Sequence, residues 1–273
     1  MRRSLVHLGK SVLLPAAVII LWEALSRAGR LSPAILPAPS QVLSRLWHYL
    51  APQEPFDRAH EGWLAWLVSG ELPQDALGSL FRVTLGFLIG GGMALPLGLL
   101  MGRKPLAQEL LGPALEVLRP IPPIAFIPLS ILWFGLGNPP ALFLIALGAF
   151  FPVLVNTVAG VRHVDSIYIR AAQNLGANEA TLFRRIIIPG AMPHILTGMR
   201  VGIGVAFIVV IVAEMTAVNR GLGYRILEAR EFMWSDKIIA GMITIGLCGL
   251  GIDTFMNRLN RRLLRWHRGM ENA

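Results

Sequence analysis

The sequence predicts an all-α, multi-pass membrane protein with about six transmembrane helices. Of the 273 residues, 54% are hydrophobic and only 15% are charged, whereas soluble globular proteins average about 45–50% and about 25%. The mean hydropathy of +0.59 excludes a disordered chain, because disorder requires low hydrophobicity and high net charge. Six spans of about 20 residues leave no room for a second catalytic domain. Residues 1–273 are therefore expected to form one membrane domain, with a core at about 80–260.

The six predicted spans are apolar stretches with few charged residues, among them Glu23 and Glu214. They cover residues 12–25, 83–101, 115–136, 141–161, 198–218 and 238–255. Arg2 and Arg3 before the first stretch also resemble a secretory signal, with residues 24–26 as a cleavage site. Cleavage there would remove a span and place the basic C-terminal tail on the wrong side. An uncleaved first helix is therefore favoured.

The Lys and Arg residues predict the orientation of these spans. Sixteen of the 25 lie in the N-terminus, the second and fourth loops and the C-terminal tail, whereas eight lie in the first and fifth loops. The positive-inside rule then places both termini and the long fourth loop in the cytoplasm. This distribution also accounts for the formal charge of +9 without a nucleic-acid partner.

Enzyme motifs are missing from the sequence. Gly9-Lys10-Ser11 resembles the end of a phosphate-binding P-loop, but Ser4 stands where the motif needs its first glycine. The six histidines include no pair at helical i, i+4 spacing, so a metalloprotease-type zinc site is absent. The single cysteine, Cys248, excludes a disulfide framework. We expect a chain that is not an enzyme, has no ATP site of its own and binds no metal or cofactor.

Small residues form a four-residue ladder along the second span, interrupted by Arg82. Its members are Gly78, Gly86, Gly90, Ala94, Gly98 and Gly102. Such a stripe lets a second helix approach closely in the membrane. Packing within the subunit is the preferred interpretation, and a dimer seam is the alternative.

The fourth loop, residues 165–193, is too polar to span the membrane but predicts two short helices. Residues 167–175 form the first helix, Gly176 ends it, and residues 179–188 form a second helix ended by Pro189-Gly190. A structured cytoplasmic helix pair between two spans suits docking to a soluble partner.

This loop resembles the EAA loop of binding-protein-dependent ABC importer permeases. That motif reads Glu-Ala-Ala, three residues, Gly, nine residues and Ile-x-Leu-Pro, and its short helix sits in a groove of the ATPase subunit. Here Arg170 replaces the glutamate and Ile188 the leucine. The resemblance implies that coupling to the ATPase involves Arg170, Ala171, Ala172, Gly176, Ile186 and Pro189.

Further matches resemble the alkanesulfonate, taurine, nitrate and bicarbonate branch of that family. They lie at residues 35–39, 127–135, 213–214, 221–224 and 229–232. Residues 51–70 look like an insertion relative to this branch. The resemblance implies a type I ABC importer permease fold in a bacterial inner membrane, with an aliphatic sulfonate as the best candidate substrate. Taurine, nitrate, bicarbonate and vitamin precursors remain open.

The resemblance also implies the partners. They are a second copy of this chain, two ATPase subunits that carry ATP and Mg, and a periplasmic or lipoprotein substrate-binding protein. An ion-coupled secondary carrier is the alternative function. That class predicts inverted repeats and several acidic residues deep in the spans, and neither is evident in the sequence.

Four residues are candidates for the translocation pathway. Arg119 lies beside the proline-rich start of the third span, where a broken helix requires protein or a water-filled cavity around it. Asn156 and Thr157 would be neutral donors to an anion. Glu214 is an intramembrane carboxylate, which by default suggests a function. Arg119 as a simple topology marker and Glu214 as a structural partner of a nearby helix end or arginine are the alternatives.

Overall fold

The computed structural model describes residues 2–52, 62–63, 66 and 68–264, with side chains from residue 13 onward. The helices are α1 (Arg2–Arg27), α2 (Pro39–Leu50), α3 (Glu71–Arg103), α4 (Pro105–Leu118), α5 (Ile127–Phe134), α6 (Asn138–Arg162), α7 (Ser166–Asn174), α8 (Glu179–Leu182), α9 (Ile188–Ala217), α10 (Leu222–Glu231) and α11 (Ser235–Leu263). A 3-10 helix, Pro123–Phe126, precedes α5, and a π-helical turn, Phe183–Ile187, joins α8 to α9. Within these described ranges no strand occurs, which agrees with the all-α prediction. Most of the inserted segment 51–70, namely residues 53–61, 64–65 and 67, lies outside them.

Among the described residues, four helices are long and apolar enough to cross a membrane. They are Glu71–Arg103, Asn138–Arg162, Glu179–Ala217 and Ser235–Leu263. Four predicted stretches, 83–101, 141–161, 198–218 and 238–255, lie within these helices, except that the third extends one residue beyond Ala217, and they are confirmed. The predicted first span lies in α1, where side chains are described only from residue 13, and it stays a prediction.

The third span is broken more strongly than the predicted stretch 115–136 implied. Helix α4 ends at Leu118, and the chain resumes as Pro123–Phe134 with an 82° bend between the two parts. Three prolines at positions 120, 122 and 123 remove backbone donors. Pro122, which precedes Pro123, has an extended backbone with φ −65° and ψ 139°. The predicted break is therefore confirmed, whereas a single broken span through both parts stays a prediction.

The second helix of the fourth loop does not end at Pro189. Helix α8 passes through the π-helical turn directly into α9, so that Glu179–Ala217 forms 39 continuous helical residues. Local π adjustment is one of the ways in which membrane helices tolerate proline. In this turn the backbone N–H of Ile188 donates to the carbonyl of Phe183, five residues earlier. The predicted helix end was wrong because the turn lets Pro189 sit within a continuing helix.

The glycine ladder packs α3 against α6 inside the subunit. A Cβ atom added to Gly86 would lie 2.5 Å from Ile145 Cγ2, and one added to Gly90 would lie 2.1 Å from the carbonyl oxygen of Ala146. Gly98 is equally close to Thr157 Cβ, at 2.7 Å. Only glycine permits this helix separation, so the preferred interpretation of the ladder is confirmed.

A polar layer lies at the end of the bundle where α2 meets α11. Helix α2 begins at Pro39, directly after the extended residue Ala38. Glu23 of α1 accepts hydrogen bonds from the backbone N–H and hydroxyl of Ser40, at 3.0 and 2.8 Å. Arg45 of α2 forms an ion pair with Asp236 of α11. These contacts fix α1 and α2 to the core.

Candidate coupling surface and translocation cavity

Hydrogen bonds between neighbouring residues define both ends of helix α7. The Asp165 carboxylate accepts from the backbone N–H of Ile167 at 2.8 Å and so caps the helix start. At the other end the N–H of Gly176 donates to Gln173 and that of Ala177 to Ala172, at 2.9 and 3.0 Å. This is the Schellman pattern, which needs a left-handed residue. Gly176 supplies it with a φ of +79°.

One side of α7 is anchored to the membrane bundle. Ile169 and Ala172 pack against a buried cluster that includes Leu182 and Ile187. Beside it, Arg103 at the end of α3 forms an ion pair with Glu179 of α8. The short helix is therefore attached to α8, the π-helical turn and the end of α3 together.

The opposite side of α7 exposes apolar side chains. Leu175 is 89% exposed, and Ile167 and Tyr168 are each more than half exposed. A contiguous exposed apolar patch is typical of a protein interaction site. We call Ile167, Tyr168, Ala171, Leu175 and Gly176 the coupling surface.

Arg119 borders two neighbouring cavities next to the break between α4 and α5. One has a volume of about 310 Å³ and is also lined by Asn156, Pro152 and Phe151. The other, of about 360 Å³, contains a second arginine, Arg162, and the carboxylate of Glu116. Among the described residues the Arg119 guanidinium has no hydrogen-bond or ion-pair partner. Its donors are thus available to a ligand.

Asn156 offers less donor capacity than its amide suggests. Its Nδ2 donates to the Pro152 carbonyl at 2.8 Å, which leaves one amide hydrogen and the oxygen unused. The side chain lies against α9, where a Cβ at Gly198 would come within 2.6 Å of Asn156 Cβ. Asn156 therefore holds a fixed position at the α6–α9 contact.

A buried polar cluster joins three helices at the other end of the bundle. Glu214 is fully buried, and its Oε1 accepts from Arg82 Nη1 at 2.7 Å. Its Oε2 accepts from Ser79 Oγ at 2.9 Å and from the N–H of Gly223 at 3.0 Å. Ser79 and Asp75 in turn accept the N–H groups of Leu222 and Gly221, at 3.1 and 3.0 Å. We call Asp75, Ser79, Arg82, Glu214 and the backbone of 221–223 the outer clamp, after the side on which the positive-inside rule predicts this end of the bundle.

Arg225 extends this clamp on α10. Its Nε donates to Asp75 at 2.8 Å, and its Nη1 lies 2.9 Å from Glu228 and 3.6 Å from Glu71. Burial alone would lower the pKa of Arg225, but the hydrogen bond and these three carboxylates raise the pKa overall. The guanidinium therefore stays charged.

Comparison with known proteins identifies the family of this chain. The family described as the binding-protein-dependent transport system inner membrane component matches residues 94–267, which include α7, both cavities and Glu214. This chain belongs to that family. It is a permease subunit of an ABC importer.

Several relatives of the permease are named after a transported substrate. It is 36% identical to the taurine transport system permease protein TauC of Escherichia coli K12, over 92% of this chain and 87% of TauC. It is 36% identical to a putative aliphatic sulfonates transport permease protein, SsuC of Bacillus subtilis 168, over 96% and 89%. The nitrate import permease protein NrtB of Synechocystis is 30% identical over 88% and 84%. The predicted branch is confirmed.

The fold of the permease is that of a solved ABC transporter. The MetNI methionine ABC transporter in an inward-facing conformation matches with a TM-score of 0.62, over 70% of this chain and 94% of that chain. The identity is 15%, so this match shows the fold alone. Permeases of this family work with an ATPase and a binding protein, and the ion-coupled carrier alternative is therefore set aside.

The structure separates the six predicted coupling residues of the permease. Arg170, Ala171, Ala172 and Gly176 lie on α7 or its end, and Arg170 Nη2 donates to Ser166 Oγ at 3.0 Å. Ile186 lies in the π-helical turn and Pro189 in the first turn of α9, both partly buried. Sequence reasoning missed Leu175 and Tyr168, although an exposed leucine directly before the helix-ending glycine was a usable signal.

The four pathway candidates of the permease fall into three places. Arg119 and Asn156 share a cavity. Thr157 is fully buried against Gly98, and its hydroxyl donates to the Val153 carbonyl at 2.7 Å. Glu214 belongs to the outer clamp, where both carboxylate oxygens have partners. Asp75 and Arg82 were missed as its neighbours, because their contacts join residues more than 130 positions apart.

Proposed function

We propose that this permease imports a small anion, with an aliphatic sulfonate such as taurine as the best candidate. The observation that carries the proposal is its similarity to relatives named for taurine, aliphatic sulfonates and nitrate. These named substrates share a compact oxyanion. The unpartnered guanidinium of Arg119 beside two cavities supports the same chemistry.

The complete transporter would contain two copies of this chain, two ATPase subunits and one substrate-binding protein. ATP and Mg would be held by the ATPase subunits, and this chain would need no cofactor. The coupling surface would fill a groove of the ATPase with Leu175 and Tyr168, which water otherwise surrounds. Closure of the ATPase dimer would then move α7 and, through the continuous helix Glu179–Ala217, the spans themselves.

The chain would lie in a bacterial inner membrane with both termini and α7 in the cytoplasm. Two exposed asparagines, Asn178 before α8 and Asn219 after α9, test this orientation as a matched pair. In a chain with Cys248→Ala, we expect a membrane-impermeant thiol reagent added outside to label Asn219→Cys. Asn178→Cys should react only after permeabilisation, and the opposite pattern would reverse the topology.

Arg119 would provide the positive charge that compensates an anion for lost hydration. Desolvating an anion is costly, and a pathway must bind it well enough to enter but weakly enough to leave. The exposed guanidinium would attract the anion, and the carboxylate of Glu116 in the same cavity would keep the anion from binding too tightly. The remaining amide hydrogen of Asn156 would add a neutral donor.

Uptake by the reconstituted transporter tests the function and the role of Arg119 together. The wild-type complex should import radiolabelled taurine or an alkanesulfonate only with ATP and the binding protein. Arg119→Gln should lower uptake at least about tenfold, because a hydrogen bond to a charged group contributes about 1.5–3 kcal/mol. Basal ATP hydrolysis and assembly should persist.

Arg258→Gln provides the control, since Arg258 is an exposed arginine at the cytoplasmic end of α11. It should transport like the wild type. Equal uptake by Arg119→Gln would make Arg119 a topology marker only. Absence of uptake for every sulfonate and for nitrate by the wild-type complex would refute the proposed substrate class.

A further inference from the structure

One unbroken helix connects the coupling surface with the outer clamp. Glu179–Ala217 starts three residues after Gly176, and Glu214 lies in its last turn. At that end the carbonyl of Ala217 also accepts from the N–H of Gly137, at 2.7 Å, at the start of α6. A movement of α7 therefore passes through the short turn 175–178 and then along one helix to the Glu214 carboxylate.

Helix α10 depends on the clamp for the capping of its N-terminus. It has no capping side chain of its own. Its first three N–H groups, in residues 221–223, donate instead to Asp75 and Ser79 of α3 and to Glu214 of α9. The first N–H groups of a helix otherwise lack partners, so α10 is fixed to these two helices.

The two glycines of this segment lie so close to α9 that neither position has room for a Cβ atom. Gly221 has a φ of +127°, and a Cβ there would lie 2.3 Å from Glu214 Cδ. A Cβ at Gly223 would lie 2.2 Å from the carbonyl oxygen of Ile211 on α9. The backbone of α10 thus touches α9 directly, and the two cannot slide past each other without losing buried hydrogen bonds.

Separation of this cluster would leave charges buried without partners. Arg82 is 7% exposed and Glu214 is fully buried, and Arg82 Nε also donates to Asn138 Oδ1 at 2.7 Å. Removing one partner of a buried pair is strongly destabilising. The outer ends of α3, α6, α9 and α10 are therefore expected to move as one body during transport.

We propose that Glu214, with Arg82, Ser79 and the 221–223 backbone, is a positioning cluster that makes α10 follow α9. It transmits the movement between the coupling surface and the outer face. This inference rests on the proposed ABC import cycle. It assigns Glu214 a role in coupling between the binding protein and ATP hydrolysis, and not in contact with the substrate.

Glu214→Gln tests the proposal in the complete transporter reconstituted with its ATPase and binding protein. The amide has one acceptor oxygen where the carboxylate has two, so it cannot serve Arg82 together with Ser79 and Gly223. We expect the complex to assemble and to keep basal ATP hydrolysis. Stimulation of hydrolysis by the binding protein loaded with taurine should fall at least about fivefold.

Asp253→Asn is the matched control. It makes the same carboxylate-to-amide change in a carboxylate that pairs with Arg200 of α9, at 2.8 Å, but that pair is about half exposed. Stimulation should be unchanged in this variant. Normal stimulation in Glu214→Gln would overturn the proposal, and absence of stimulation in the wild type would instead refute the ABC import function.

If the Glu214→Gln complex does not assemble, a cross-link between α3 and α10 tests whether the outer clamp moves as one body. Glu71 of α3 and Glu228 of α10 approach the same guanidinium nitrogen of Arg225. In a chain with Cys248→Ala, Glu71→Cys and Glu228→Cys can be joined by a short bifunctional thiol reagent. If the clamp moves as one body, the bridged complex should transport within about twofold of the unbridged one. Loss of transport on bridging would show that this seam opens, and would overturn the proposal.

Discussion

Gly176→Arg should abolish binding of the ATPase subunit while the permease still inserts into the membrane. Gly176 has a φ of +79° and no atom within 4 Å of a Cβ built on it, so the folded loop has room for the side chain. A left-handed residue with a Cβ costs about 1–2 kcal/mol. The larger effect is a charged side chain projecting from the coupling surface where the ATPase must fit. Co-purified ATPase should fall at least about tenfold, which corresponds to 1.4 kcal/mol.

Gly176→Asn is the control for backbone strain, because asparagine tolerates the left-handed region better than other residues. This variant should retain most of its ATPase and its stimulated hydrolysis. Equal loss in both variants would attribute the effect to the helix end. Normal co-purification of Gly176→Arg would refute the assignment of this surface to the ATPase.

Gly90→Ala should destabilise the whole bundle. Its Cβ would lie 2.1 Å from the Ala146 carbonyl oxygen and 2.8 Å from the carbonyl carbon, so α3 and α6 must separate. Overpacking typically costs about 1–3 kcal/mol even where side chains can give way, and here the obstacle is backbone. We expect a fall in Tm of about 5 °C or more in detergent, together with loss of monodisperse protein.

Gly92→Ala makes the same change two residues further along α3, where nothing lies within 4 Å of the added Cβ. Its Tm should equal or exceed that of the wild type, because alanine favours a helix over glycine. Thermal unfolding followed by size-exclusion chromatography compares the two. Similar Tm values for both variants would contradict the close α3–α6 packing.

Local signals in the sequence were sufficient for several features of the fold. Gly176 ends α7 as predicted, because the left-handed requirement is local to that residue. The prolines at 120, 122 and 123 break the third span for a similar reason. Pro189 gave the opposite result, since the effect of a proline depends on whether the preceding turn can widen.

Long-range features of the site could not be predicted in the same way. The partners of Glu214 come from α3 and from the start of α10, and no spacing rule relates Asp75 or Arg82 to Gly221. The structural alternative for Glu214, a bond to a nearby helix end or arginine, agrees with its contacts to Gly223 and Arg82, but the sequence does not indicate that the arginine lies on α3. In the sequence its ion-pair partner, Arg82, is visible only as an interruption of the glycine ladder, 132 residues before Glu214.

The π-helical turn at Phe183–Ile187 has a consequence for combining parts of different permeases. A π turn holds one residue more than an α turn, and each residue of an α-helix rotates the chain by about 100° about the axis. Deleting one residue here would turn α7 and α8 to a different side of α9 while leaving their own sequences intact. The junction of a chimaera should therefore lie outside this turn. The rotation of α7 and α8 about the axis of α9 then comes from a single permease, and the docking helix keeps its orientation relative to the membrane helices.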